Sequence, residues 1–178
     1  MPSVRSNDNT NTIMPDFIVQ LQKTWSIALL TVDDTDAMTS FIKLFNDFFQ
    51  LCEGEDGSAI TILHACPSLK DIYKDKFVLG LYNNTLLIGV IDILCDYPEN
   101  GILTIGYLLI HPDYRNRGIG SKFITDLKKI ISPDKLRCIV QKQNKRALEF
   151  WKSNGFSITG QKEDQLGNLV NINLILEK

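Results

Sequence analysis

The chain has 178 residues, of which 44% are apolar and 22% charged, and its formal net charge is −2. That length fits one domain with its own core, and the balance is that of a globular protein, which excludes disordered and fibrous classes. No apolar run approaches the ~20 residues of a membrane span, so no membrane partner is expected.

Residues 1–16 are polar and rich in Ser, Asn and Thr, without the apolar stretch of a signal peptide, and read as a disordered tail ahead of a domain over 17–178. A first strand is expected over 25–32. Asp33-Asp34-Thr35-Asp36 offers N-caps for a helix running through Leu51, with Phe41, Leu44, Phe45, Phe48 and Phe49 on one face. Residues 53–58 form a loop, and Pro67 breaks 60–75 into a short helix and a turn. Strands at 77–82 and 85–94 join through Asn83-Asn84, a good hairpin pair. A turn over 96–101 leads into a strand at 102–110. A helix with Phe123, Ile124, Leu127, Ile130 and Ile131 at helical spacing follows, then a strand at 136–140 and a helix opening at Asn144. Strands near 156–159 and 169–176 pair through a turn at Gln165-Leu166-Gly167-Asn168. Strands first, then helices interleaved with strands, predict a single-domain α/β fold on a mixed sheet.

Cys52, Cys66, Cys95 and Cys138 show no C-x-x-C spacing and read as reduced thiols of a cytoplasmic protein. His64 and His111 are too few for a His-based site, so no metal is expected. Charge is unevenly spread. Residues 111–155 carry a net of +7 and the rest of the chain −9. Much of the basic excess is solvated helix surface, and without a continuous basic face nucleic acid is not an expected partner. Residues 33–99 hold 12 acidic against 4 basic side chains, which suits a cationic acceptor.

Arg115-Asn116-Arg117-Gly118-Ile119-Gly120-Ser121 lies where the strand ending at Ile110 gives way to the apolar helix. A helix start has unpaired N–H groups, and glycines let an anion reach them. A dinucleotide fingerprint would need a third glycine where Phe123 stands. A P-loop would need a glycine five residues before Gly120, where Arg115 stands. What remains is R-x-x-G-x-G after a strand, or else a plain glycine-rich turn. A second motif follows: Asn144, Ala147, Phe150, Trp151, Gly155 and Phe156. It has helical spacing, with a glycine suited to the left-handed helix end.

Together these segments resemble the two acyl-CoA signatures of the GNAT acetyltransferase superfamily. The resemblance implies a mostly antiparallel sheet of about seven strands flanked by about four helices, splayed beside the strand ending at Ile110. It implies acetyl-CoA as co-substrate, with the pantetheine arm along Leu108, Leu109 and Ile110. Arg115, Asn116, Arg117, Gly118, Ile119, Gly120 and Ser121 would hold the pyrophosphate, with Asn144 and Phe150 beside the cofactor. The backbone amide of Leu108 would stabilise the oxyanion during direct transfer to a primary amine, small or peptidic, by a monomer or homodimer.

Two positions depart from the family pattern. Thr104 stands where some members carry a base, and Trp151 where a tyrosine often protonates the thiolate. Asp92, Asp96 or Glu99 are the replacement bases nominated; the other reading is a structural Asp92 paired with a lysine or a backbone N–H, and Asp96 and Glu99 as residues of the turn. A sensor that binds acyl-CoA without turnover, or an interaction domain with a vestigial site, are the other classes. The acceptor pocket is expected between Thr35 and Cys66, which carries no motif.

Overall fold

Apolar runs punctuated by Asn, Asp and Gly fold into one seven-stranded sheet of order β1-β2-β3-β4-β5-β7-β6, in a computed structural model describing residues 15–178 apart from Leu69. Its strands are β1 Ile27–Leu29, β2 Lys76–Asn83, β3 Leu86–Leu94, β4 Ile102–Ile110, β5 Lys135–Gln141, β6 Ser157–Leu166 and β7 Leu169–Glu177. The helices are α1 Asp16–Gln22, α2 Thr35–Ile42, α3 Asn46–Glu53, α4 Ala59–His64, α5 Ile119–Ile131 and α6 Lys145–Ser153. Neighbouring strands are antiparallel except β4 and β5. No helix among the described residues is long and apolar enough to cross a membrane.

Strand alternation sends successive side chains to opposite faces, and a core forms on each. On one face Ile91, Ile93 and Leu103 pack with α1, α5 and α6 through Ile18, Leu21, Phe123, Leu127 and Trp151. On the other, Val78, Val90 and Leu109 pack with α2, α3 and α4 through Met38, Phe41, Phe49 and Ile62.

Three differences from the sequence reading have local causes. The tail expected over 1–16 lies outside the described residues except for its last two, and Asp16 already begins α1. That helix is built on Ile18 and Leu21, both fully buried, and it packs on α5. The helix expected through Leu51 is interrupted by a 3₁₀ turn, Lys43–Phe45, and α3 ends at Gly54 with φ 71°. Phe41, Phe45 and Phe49 are buried, whereas Leu44 is 47% exposed and belongs to a neighbouring stripe. Finally β6 runs well beyond 159, although Gln161, Lys162, Glu163, Asp164 and Gln165 are exposed. Pairing to β7, not side-chain burial, holds that segment in strand form.

Asp92 interrupts the apolar strand β3, and its carboxylate meets Lys76 Nζ at 2.7 Å with both side chains buried. Breaking a buried pair strands a charge in low dielectric, at about 3–5 kcal/mol, whereas replacing both partners with apolar groups is often neutral. Lys76→Met is therefore expected to lower unfolding stability by about that amount, and Lys76→Met with Asp92→Leu to recover most of it. Urea titration of the three proteins measures this, and a single variant as stable as wild type would contradict it.

Candidate active site

β4 and β5 run side by side only where Ile102 to Ile105 face Lys135 to Cys138. The next residue, Gly106, is bulged out of the β3–β4 register, since Asp92 faces Tyr107 while Ile93 faces Ile105. A Cβ on Gly106 would lie 2.5 Å from Asp92 Oδ2, so the bulge closes over the Lys76–Asp92 pair only with glycine. Past it, β4 continues along β3 while Ile139, Val140 and Gln141 of β5 pair with β7. The two strands open into a V.

His111 N–H donates to Ile88 O at 2.9 Å. By antiparallel alternation Leu109 and Tyr107 then bond toward β3, and the backbone groups of Leu108 and Ile110 face the V. The Ile110 carbonyl accepts Arg115 Nε at 2.9 Å. Leu108 N–H and C=O and Ile110 N–H remain as strand-edge groups that need a partner.

At the wide end of the V the chain turns into α5. Asn116 and Gly118 adopt φ of 60° and 74°, a region glycine enters without penalty. A Cβ at Gly118 would meet nothing within 4 Å; space lies open there. α5 has 13 residues, and its first amides have no partner within the helix, so the partial positive end of the helix dipole faces that space. Arg115 stacks 5.0 Å over the Phe45 ring. Burial, then the nearby Arg146, lowers the Arg115 pKa, but a guanidinium remains a cation at neutral pH.

A cleft of about 1070 Å³ joins these parts. Leu108, Leu109, Ile110, Arg115, Asn116, Gly118, Ile119, Gly120, Ser121, Asn144 and Phe150 all line it. Arg117 is not among its walls; it lies exposed, 5.1 Å over the Tyr114 ring. Gly120 faces Phe150, where an added Cβ would be 3.1 Å from Phe150 Cζ. Asn144 caps α6 by accepting Ala147 N–H at 3.1 Å and reaches Cys52 Sγ at 3.7 Å.

The nominated bases lie elsewhere. Asp92 is enclosed with Lys76 outside the cleft wall; burial pushes its carboxyl up, and the Lys76 ammonium opposes this. Asp96 accepts Gly101 N–H at 2.8 Å within the β3–β4 turn, and Glu99 is exposed in the same turn. The Thr104 hydroxyl donates to Tyr97 O at 2.6 Å. Trp151 is buried, its ring 5.3 Å from Phe150 and 4.8 Å from Phe156.

The carboxylate buried within the cleft is Glu53, which local pattern reading leaves as the start of a loop. It is the last residue of α3, only 8% exposed, and accepts the Tyr107 hydroxyl at 2.8 Å. Burial pushes its pKa up, the Tyr107 hydrogen bond opposes this, and Glu55 adds to the rise. The β6–β7 turn holds it in place: Asn168 N–H donates to Glu53 O at 2.7 Å, and Asn171 Nδ2 to Cys52 O at 2.8 Å.

Residues 38–156 match the model of the acetyltransferase (GNAT) family. None of the curated proteins matches the chain. Among solved structures, an acetyltransferase from Thermus thermophilus is similar at 20% identity and TM-score 0.58, over 84% of this chain and 95% of that one. The ribosomal-protein-S18-alanine N-acetyltransferase from Escherichia coli is similar at 17% identity and TM-score 0.59, over 85% and 91%. An acetyltransferase from Salmonella typhimurium, solved with its cofactor acetyl-CoA, is similar at 16% identity and TM-score 0.53, over 87% and 93%. At these identities the likeness is one of fold. The family match spans two thirds of the chain and includes both glycines of the loop and the whole of α6, and the chain belongs to the GNAT family of acetyltransferases.

Proposed function

We propose that the chain moves an acetyl group from acetyl-CoA directly to a primary amine. The observation that carries this reading is the V between β4 and β5, opening beside the uncapped start of α5. Strand-edge groups at Leu108 and Ile110 suit the amides of a pantetheine arm. The open space at Gly118, the amides of Ile119, Gly120 and Ser121, and the Arg115 cation suit a pyrophosphate. Phe150, across from Gly120, would flank the arm, with Asn144 beside it.

Bound there, acetyl-CoA would supply an activated acyl carbon. Leu108 N–H would donate to the oxygen on which negative charge builds, a stabilisation that a fixed donor provides without reorganisation. The strand holds the acyl group while the wall formed by α3 holds the acceptor, so positioning is built into the fold. Burial pushes the Cys52 and Cys95 thiols up to about 11, raises Cys138 further and also raises Cys66. Thiols of that kind are protonated near neutral pH, which favours direct transfer over an acyl-enzyme.

The engaged Thr104 hydroxyl and the buried Trp151 indole favour a second reading, a domain that binds acyl-CoA without turnover. A buried carboxylate in the cleft, on Glu53, favours catalysis.

Calorimetric titration with acetyl-CoA tests the cofactor site. Wild type is expected to bind in the range of about 1 µM to 1 mM typical of substrates. Gly118→Glu, which adds a negative charge where phosphate would lie, is expected to weaken binding by about a hundredfold or more. Gly118→Ala adds strain but no charge and is expected to keep most of the affinity. Equal binding by wild type and Gly118→Glu would remove the phosphate assignment. In a second test, protein mixed with acetyl-CoA and quenched in acid is expected to keep its unmodified mass at every time point. A transient acetyl adduct on a cysteine would overturn direct transfer.

A further inference from the structure

We infer that Glu53 receives the acceptor's ammonium and takes its proton, and that the acceptor carries this ammonium on an apolar or aromatic body. The inference rests on the acetyl-transfer reading and names its base and its substrate class.

Two independent observations support it. The first is the placement of Glu53. Its carboxylate lines the cleft and is oriented by the hydroxyl of Tyr107, the residue next in chain to Leu108. Its backbone is fixed by the left-handed Gly54 and by Asn168. A Cβ at Gly167 would lie 2.5 Å from Glu53 O, so the turn packs directly on it. A carboxylate held this firmly in a buried wall is preorganised for a cation.

The second observation is the wall around it. Leu44, Phe48 and Leu51 line the cleft at i, i+4 and i+7, and Leu44 and Leu51 are 47% and 48% exposed. Single exposed leucines are ordinary, but a contiguous apolar stripe beside a carboxylate is a surface for an apolar ligand. Asp47 is the other acid on this wall, and Arg115 and Arg146 stand toward the cofactor side. One ammonium on an apolar body fits that pattern; a polyamine could meet Asp47 and Glu149 as well, but its chain of charges would lie against the apolar stripe.

The step balances as follows. Glu53 as carboxylate takes one proton from the ammonium, and the freed lone pair forms the C–N bond to the thioester carbon as the C–S bond breaks. The bonding pair leaves with sulfur, which gains the proton that the nitrogen gives up in becoming an amide. Glu53 returns its own proton to solvent. Tyr107 is a positioning residue, holding the carboxylate by one hydrogen bond.

The groups about Glu53 are Tyr107 from β4, Glu55 from the flanking loop and Cys52 on α3; Asn168 donates its N–H to Glu53 O and its side-chain amide to Glu55, and Asp92 on β3 acts on Tyr107. Burial and Glu55 raise the carboxyl and Tyr107 lowers it. The working form is deprotonated, so the rate falls as pH drops through a pKa above the usual carboxylate value. Losing the Tyr107 hydroxyl removes a donor that favours the carboxylate, which moves this acid limb to higher pH.

Thiol release from acetyl-CoA, with phenylethylamine or spermidine as acceptor, tests both parts in wild type, Glu53→Gln, Glu53→Asp and Tyr107→Phe. Phenylethylamine is expected to exceed spermidine by about tenfold or more in kcat/KM. Glu53→Gln is expected to lower kcat about 10²- to 10⁴-fold and to flatten the acid limb, with calorimetric affinity for acetyl-CoA unchanged. Glu53→Asp should fall between, and Tyr107→Phe should shift the limb upward with a smaller loss. Wild-type kcat in Glu53→Gln across the pH range, or a preference for spermidine, would overturn the inference. So would wild type that binds acetyl-CoA and turns over neither amine. Wild type that binds no acetyl-CoA would instead overturn the acetyl-transfer reading beneath it.

Discussion

The parting of β4 from β5 after Ile105 is the constraint on which the rest of the molecule turns. A sheet normally satisfies its backbone by pairing, and strands that separate inside a domain create unpaired groups that must find water or a ligand. The parting coincides with the bulge in β4. The bulged Gly106 sits on Asp92, and Asp92 is held by Lys76 from β2. A side chain at Gly106 would press on Asp92 Oδ2, beside the ion pair. Asp92 therefore matters to the site through geometry: it supports the bulge that turns the edge of β4 toward the cleft.

The row Phe41, Phe45 and Phe49 links the two halves of that cleft. Phe45 lies under the Arg115 guanidinium at the loop before α5, and Phe49 lies 6.0 Å from the Tyr107 ring beside α3. Phe41 and Phe45 are themselves 5.0 Å apart. The 3₁₀ turn at Lys43–Phe45 connects α2 to α3 between these contacts, so one aromatic stripe braces the Arg115 end and the Tyr107 end of the cleft together. The adjoining stripe, Leu44, Phe48 and Leu51, is left to face the cleft. A single segment thus supplies core on one side and cleft lining on the next.

Much of this was legible from residue types. The strands β2, β3, β4, β5 and β7 were readable because alternation and Asn or Gly turns mark them, as were α5 and α6 from their apolar spacing. The turn at Gly118 is readable because a left-handed backbone favours glycine there. The basic excess over 111–155 was a coarser guide. Arg115 and Arg146 reach the cleft, but Lys128 and Lys129 lie in the last turn of α5, where cations complement the helix dipole. The exposed β6 is faint in the sequence because its polar residues carry no burial pattern, and its strand form is decided by β7.

Glu53 was illegible for a different reason. Between Cys52 and Gly54 it looks like a loop residue, and nothing within a helical turn of it announces a role. Its significance comes from Tyr107, 54 residues away, and from the β6–β7 turn, more than a hundred residues away. Asp92 is the opposite case: a charge inside an apolar strand suggests either a base or a structural partner for a lysine, and in the fold it pairs with Lys76. Both carboxylates are buried and both have one close partner. What separates them is the partner's charge and the neighbouring space. An ammonium neutralises Asp92 in a closed core, whereas a neutral phenol orients Glu53 without cancelling its charge, beside an open cleft. A buried carboxylate whose charge is left uncancelled, facing space large enough for a ligand, is the arrangement that calls for a cation from outside the protein.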